Sequence, residues 1–209
     1  KAGTLPPLEE RVPLEPRVIP VVDEIGKYGG VWNQMHMGFN DRWQNSYKTM
    51  VRLGKFLPDG VVTANFATGW EFSNAGKTVT IHLRKGMKWN DGEPCTADSI
   101  MYWWEDVVGN DELSPTKPSN MKHGGELASL EKLDDYTYRI TFAAPFGAYE
   151  DLLPTEIHWQ PGHYLQQFHV NYAAKADLDK AMSDAGFDTW TDLYGAQTSF
   201  ANNPGTPEI

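Results

Sequence analysis

Two stretches in which every second residue is large and apolar set what this chain can fold into. In Thr78-Val79-Thr80-Ile81-His82-Leu83-Arg84, one side holds Val79, Ile81 and Leu83 and the other holds Thr78, Thr80, His82 and Arg84. From Tyr136 to Phe142, residues Tyr136, Tyr138, Ile140 and Phe142 alternate in the same way. Successive strand side chains point to opposite faces, so each run demands a sheet with one buried and one wet face. Trp70-Glu71-Phe72 precedes the first run across Ser73-Asn74-Ala75-Gly76-Lys77, a turn-forming stretch. Together they predict a hairpin. Asp134-Asp135 is the expected turn into the second run.

Helical spacing takes over elsewhere. Thr96 is placed to cap a helix and Asp98 sits in its first turn, where a negative charge suits the dipole. Ile100, Trp103, Trp104, Val107 and Val108 follow, with Gly109 as the expected stop. Residues 110–125 look like a loop. Ala148 to Leu153 forms a short helix candidate ended by Pro154, and 162–172 and 176–185 are expected helices. Gly186 closes the latter, and Asp188 is the expected cap of a last turn through Trp190 and Leu193. Pro6, Pro7, Pro13, Pro16 and Pro20 predict an extended arm without helix, its Leu8, Val12, Leu14, Val18 and Ile19 lying against a surface. Tyr28-Gly29-Gly30 turns into Val31–Met37, a strand candidate ending in the polar, aromatic loop 38–43. The fold class is mixed α+β, centred on an antiparallel meander with covering helices.

Charge and composition narrow the function. Eighteen Lys and Arg against 28 Asp and Glu leave a formal charge of −10, which argues against nucleic acid as a partner. Cys95 stands alone, so no intrachain disulfide and no cysteine metal cage is available. It is expected to be a small buried side chain. The Lys1-Ala2-Gly3-Thr4 start shows no charged-then-apolar leader pattern, so the chain is cytosolic or already processed. The 8 Trp, 9 Tyr and 9 Phe suit either a core or the floor of a cleft for flat ligands.

Chemistry is sparsely signalled. There is no phosphate-binding glycine loop, no GxSxG elbow and no HExxH. His36, His82, His123, His158, His163 and His169 lack metal-ligand spacing and are expected to be structural or surface groups. Glu71, Asp91, Glu93, Asp134 and Asp135 are the material of an acid/base pair, but they sit at turns and strand ends, where Asp serves its own backbone. Asp177, Asp179, Asp184, Asp188 and Asp192 form a solvated face. Lys85 and Lys88 around Gly86 are the one candidate anion site.

Residues 66–108, FATGWEFSNAGKTVTIHLRKGMKWNDGEPCTADSIMYWWEDVV, resemble the signature region of the family 5 extracellular solute-binding proteins of ABC transporters, the dipeptide, oligopeptide and nickel type. The matching residues are Trp70, Gly76 to Thr78, His82 to Gly86, Trp89, Asp91, Gly92, Pro94 and Thr96 to Asp98. Asp135-Tyr136-Thr137 through Phe142 with Ala144-Pro145, and Pro161-Gly162-His163-Tyr164-Leu165-Gln166-Gln167-Phe168-His169, resemble further family segments. Asn74-Ala75 in place of an acidic turn and Ser99 in place of a second Asp are departures that do not speak to the ligand.

The resemblance implies a periplasmic-binding-protein-like type II lobe portion plus the extra subdomain of this group. It divides the chain into 1–57, an arm and first strands of the main lobe, 58–195, the extra subdomain, and 196–209, a segment returning toward the main lobe. It implies a longer protein with a C-terminal portion beyond this chain. That protein is periplasmic, extracellular or lipid-anchored, works with ABC permease membrane subunits, is not an enzyme and needs no cofactor. The implied solute is a peptide. An oligosaccharide or sugar conjugate is the alternative, favoured by the tryptophans, and a glycoside hydrolase fragment is a remote one. Nickel or haem gains no support from the unclustered histidines. Ligands of such lobes sit at strand carboxyl ends, which points to Phe39, Asn40, Asp41 and Trp43. The other reading of those four is an ordinary surface loop.

Overall fold

The computed structural model describes residues 7–19, 21, 24–27, 29–31, 33, 51–155, 159–198, 203 and 205–208. The strand candidate Val31–Met37 therefore lies largely outside the described residues.

A two-stranded ribbon comes first, β1 (Gly54–Phe56) against β2 (Val62–Ala64). Four antiparallel strands follow as a sheet: β3 (Ala67–Ser73), β4 (Thr78–Leu83), then after a small hairpin β5 (Lys122–His123) and β6 (Glu126–Leu127), β7 (Ser129–Asp134) and β8 (Thr137–Thr141). The order across the sheet is β3-β4-β8-β7. The hairpin expected at 70–84 is there. Ile81 pairs with Trp70 on one side and Tyr138 on the other, and Val79 with Phe72 and Ile140. Val79, Ile81, Leu83, Tyr138, Ile140 and Phe142 are all buried, as the alternation requires. The mixed α+β expectation holds.

The helix capped by Thr96 covers that face. In α2 (Ala97–Tyr102), the Thr96 hydroxyl accepts the Asp98 N–H at 3.2 Å, the expected cap. Ala97 and Ile100 enter the core with Met121, Tyr149, Leu153, Phe66 and Trp159, the last two packed edge to face with their ring centres 5.0 Å apart. Beyond Tyr102 the winding loosens into a π-helix, Trp103–Val108. Gly109 ends it, but not as a left-handed cap: its φ is −68° and its N–H bonds to Trp104 O. Its role is steric, since a Cβ there would lie 2.2 Å from Glu105 O. Gly→Ala at a helical φ ordinarily stabilises by about 0.4–1 kcal/mol. At Gly109 the backbone clash reverses the sign, and Gly109→Ala is expected to cost about 1–3 kcal/mol in a urea unfolding curve.

Three more helices follow, α3 (Gly162–Leu165), α4 (Lys175–Ala185) and α5 (Trp190–Gln197), and α3 and α5 supply Leu165 and Tyr194 to a second, smaller core with Tyr102. The expected helix over 162–172 is only α3 plus a 3-10 turn at 166–168. Gly186 closes α4 with φ +75°. Thr189, not Asp188, caps α5, its hydroxyl accepting the Asp192 N–H at 3.1 Å.

The N-terminal arm departs from expectation twice. One turn, α1 (Leu8–Arg11), forms between Pro7 and Pro13, because a proline at the start of a helix loses no hydrogen bond. The aliphatic side chains described in the arm also face outward: Val12, Leu14, Val18 and Ile19 are exposed, and polar groups hold the arm in place.

Candidate functional site

The four residues expected to touch a ligand, Phe39, Asn40, Asp41 and Trp43, lie outside the described residues. What is described is the stem on which the chain returns from them. Arg52 O accepts from Phe66 N–H and from the Asn65 amide, both at 3.0 Å. Leu53 O accepts from Asn65 N–H and Ala67 N–H, at 3.0 and 3.1 Å. Arg84 donates from Nε and Nη2 to Asn65 O at 3.2 and 3.1 Å. A fully buried Leu53 and a guanidinium clamp thus lock the residues entering β1 to the end of β4.

The histidines behave as structural groups where they are described. His169 is fully buried, with Nδ1 accepting the Asn171 N–H at 3.2 Å and Nε2 bonded to Asp106 O at 3.1 Å. The Tyr172 hydroxyl donates to the Asp106 carboxylate at 2.7 Å. Beside it the Tyr102 and Tyr194 hydroxyls lie 3.0 Å apart, and Tyr194 donates to Gln160 at 2.9 Å. These bonds tie the π-helix to the segment that follows α3, and α2 to α5. Sequence reasoning missed this network, because its members are scattered from Tyr102 to Tyr194. His163 meets Asp91 at 2.7 Å and joins the Asn90–Gly92 turn to α3.

The carboxylates do turn chemistry. Asp91 accepts the Glu93 N–H at 3.1 Å, and Asp134 the Tyr136 N–H at 2.8 Å. The latter bond, helped by the Thr137 hydroxyl, holds the Asp134 carboxyl below its usual range. Lys132 bridges Asp98 at 2.7 Å and Asp135 at 2.8 Å, pinning α2 to the β7–β8 turn. Among the described residues no group of three or more His, Cys, Asp or Glu is placed to hold a metal.

Two of the depressions in the surface of the described residues bear on the candidate groups. The larger, of about 580 Å³, is open and lined by Thr68, His82, Lys85, Asp134, Tyr136 and Thr137. Its polar groups mostly engage each other: His82 Nδ1 and Thr137 Oγ1 are 3.4 Å apart, and the Lys85 ammonium sits 5.8 Å from the Tyr136 ring centre. The smaller, of about 240 Å³, lies between α2 and α3 around Asp98, Tyr102 and His163. The Lys85 and Lys88 pair forms no anion cradle. Lys88 donates to Glu10 O at 3.2 Å, so the turn holds the chain's own arm.

Known proteins share this sequence and this architecture. The model of the bacterial extracellular solute-binding proteins, family 5 Middle, matches residues 61–189. A periplasmic α-galactoside-binding protein of Rhizobium meliloti (strain 1021) is 32% identical over 201 residues, 83% of this chain and 28% of that protein. The periplasmic oligopeptide-binding protein OppA of Escherichia coli (strain K12) is 29% identical over 110 residues, 46% of this chain and 20% of that protein. Among solved structures, an oligopeptide-binding protein OppA superposes with a TM-score of 0.87 at 37% identity, over 99% of this chain and 32% of that one. A periplasmic binding protein of Agrobacterium fabrum C58, solved with stachyose, superposes with a TM-score of 0.64 at 32% identity, over 93% of this chain and 31% of that one. The chain thus spans less than a third of the length of each. The likeness carries the expected fold, a portion of the periplasmic-binding-protein type II architecture.

Proposed function

The chain belongs to the bacterial extracellular solute-binding proteins, family 5, and from that membership we propose that it is the N-terminal part of the extracytoplasmic solute-binding component of an ABC importer. The solute is a peptide. The observation that carries this is agreement along 99% of the chain with an oligopeptide-binding protein. Residues 1–57 begin the main lobe, 58–195 form the extra subdomain, and 196–209 lead back toward the lobe. Phe39, Asn40, Asp41 and Trp43 contact the solute from the main lobe. A second lobe, from polypeptide beyond this chain, closes over it, and binding shifts the open form to the closed one. The closed form is delivered to permease subunits in the membrane. The protein works outside the cytoplasm, and it binds rather than catalyses.

A second reading, an oligosaccharide solute, rests on the α-galactoside-binding relative and the stachyose complex, each matching most of the chain. Thermal unfolding of the protein with its downstream portion separates the two. At 100 times its Kd a true solute adds about 2.7 kcal/mol of stability. A mixture of tri- to pentapeptides is expected to raise the Tm. A rise with stachyose alone selects the second reading, and no rise with either removes the transport reading. In the same protein Trp43→Ala is expected to weaken solute binding by about 1–3 kcal/mol, the scale of a lost aromatic contact. Unchanged affinity removes Trp43 from the site.

A further inference from the structure

The larger surface depression keeps unused polar groups once its internal bonds are set aside. Asp135 is bound by Lys132 at 2.8 Å. His82 stands between Thr137 Oγ1 at 3.4 Å and Glu71 at 3.6 Å. Thr68 Oγ1 donates to His82 O at 3.3 Å and keeps its own lone pairs. Two opposite charges remain. The Lys85 ammonium makes no ion pair or hydrogen bond among the described residues, although Asp134 lines the same depression. The Tyr136 N–H above all, then the Thr137 hydroxyl and the charge of Lys85, hold the Asp134 carboxyl low, so it is ionised. The two groups therefore face one space without closing on each other. The half-buried Tyr136 ring belongs to the same wall, 5.8 Å from Lys85 Nζ, which is the outer limit of a cation–π contact and leaves the ring face open.

We propose that this depression at the end of the four-stranded sheet binds a neutral saccharide ring. The leftover groups select that class. A hydroxyl donates and accepts at once, so neighbouring ring hydroxyls can accept from Lys85 and donate to Asp134 together. Hydrogen bonds with one charged partner are the stronger kind. The apolar face of a pyranose needs a flat amphipathic surface, and Tyr136 supplies it. An anion is opposed by Asp134 and by a chain of formal charge −10, and a cation meets the Lys85 ammonium. The volume of about 580 Å³ lies within the range of small-ligand sites, about 300–1,000 Å³. Because the depression is open and the ligand small, the Kd is about 1–10 mM. Phe39, Asn40, Asp41 and Trp43 take no part, so the site stands or falls separately from the solute reading.

Saturation-transfer NMR tests it, with methyl β-D-glucopyranoside as the probe and the protein carrying its downstream portion as the receptor. Saturable binding in the millimolar range is expected, with the strongest transfer to the ring C–H protons of one face. Lys85→Met and Asp134→Asn are each expected to weaken it about three- to tenfold, the loss of one charge-assisted hydrogen bond at a wet site. Both substitutions spare the fold. The Lys85 carbonyl that accepts the Leu14 N–H is backbone, and Asn at 134 keeps an oxygen for the Tyr136 N–H. Unchanged circular dichroism checks this. Trp43→Ala is expected to leave probe binding as it is. Absence of saturable binding overturns the proposal, and so does equal affinity in the parent and both variants. Loss of the probe in Trp43→Ala also overturns it, by placing the sugar with the solute. Binding of glycine in place of the sugar, weakened by the same two substitutions, assigns the depression to a zwitterion and overturns the saccharide. The Tm response to peptides and to stachyose is measured alongside. Probe binding without that response keeps this site and removes the transport reading, whereas the response without probe binding removes only this site.

Discussion

Ile81→Ala is expected to lower the unfolding free energy by about 2–5 kcal/mol, while Thr80→Ala, next to it, changes it by no more than about 0.5 kcal/mol. Ile81 is fully buried in β4, between Trp70 and Tyr138 on the flanking strands. Truncation removes apolar contact and leaves a cavity that a sheet strand, bonded on both edges, cannot close by moving. Thr80 pairs with Glu71 and Arg139 on the wet face, where truncation leaves no cavity. Domains of this size are stable by only about 5–15 kcal/mol, so the first variant loses a large part of the total and the second almost none. Urea midpoints with an unchanged m-value read the difference. Similar losses at both positions would mean that the buried face of the sheet is misassigned.

That contrast was legible in the sequence because period two is a strong local signal. The capped start of α2 was legible for the same reason, as Thr96 and Asp98 sit at fixed offsets from Ala97. The features that escaped depend on distance instead. Strand β7 carries Leu130 and Leu133 three apart, a helical spacing. A register shift between Lys132 and Asp134 turns Leu133 out to solvent and frees Lys132 to meet Asp98 and Asp135. The close approach of Gly109 to Glu105 O at the end of the π-helix is a matter of distance, which no pattern of residue types encodes. Thr189 and Asp188 are both able caps, and only the start of α5 decides between them. In the arm, aliphatic residues suggested burial, but the Arg84–Lys88 turn offers it polar groups, so the side chains turn away. The candidate anion site failed for the same reason, since Lys88 serves a carbonyl of its own chain. The expectation for Phe39, Asn40, Asp41 and Trp43 came from family resemblance and from where lobes of this kind bind ligands, and those residues lie outside the described ones.

Alkaline pH is expected to unfold the chain cooperatively by about pH 12. Burial pushes the Cys95 thiol up to about 12 and raises the hydroxyls of Tyr102, Tyr138 and Tyr194 well above the usual tyrosine range. In the unfolded chain the thiol ionises near ~8.5 and the tyrosines near ~10. Below those values both states hold the same protons and stability is level. Above them the unfolded state releases protons that the folded state keeps, so stability falls as pH rises. Each group contributes about 1.4 kcal/mol per pH unit within its window. Four groups acting together from about pH 10 upward remove roughly 5 kcal/mol per pH unit, enough to exhaust a marginal stability within two units. Tyr172 is half-exposed and its share is screened by solvent. Tyrosinate absorbance and far-ultraviolet circular dichroism followed together test this, since the buried tyrosines should ionise only as the helical signal is lost. Tyr138→Phe gives the slope a second test. The Tyr138 hydroxyl is buried with no hydrogen-bond partner among the described residues, so its removal costs little at neutral pH and makes the alkaline decline shallower by about 1.4 kcal/mol per pH unit. Ionisation of all nine tyrosines near pH ~10 with the fold intact would show that these hydroxyls reach water, and that the second core around Tyr102 and Tyr194 is open rather than packed.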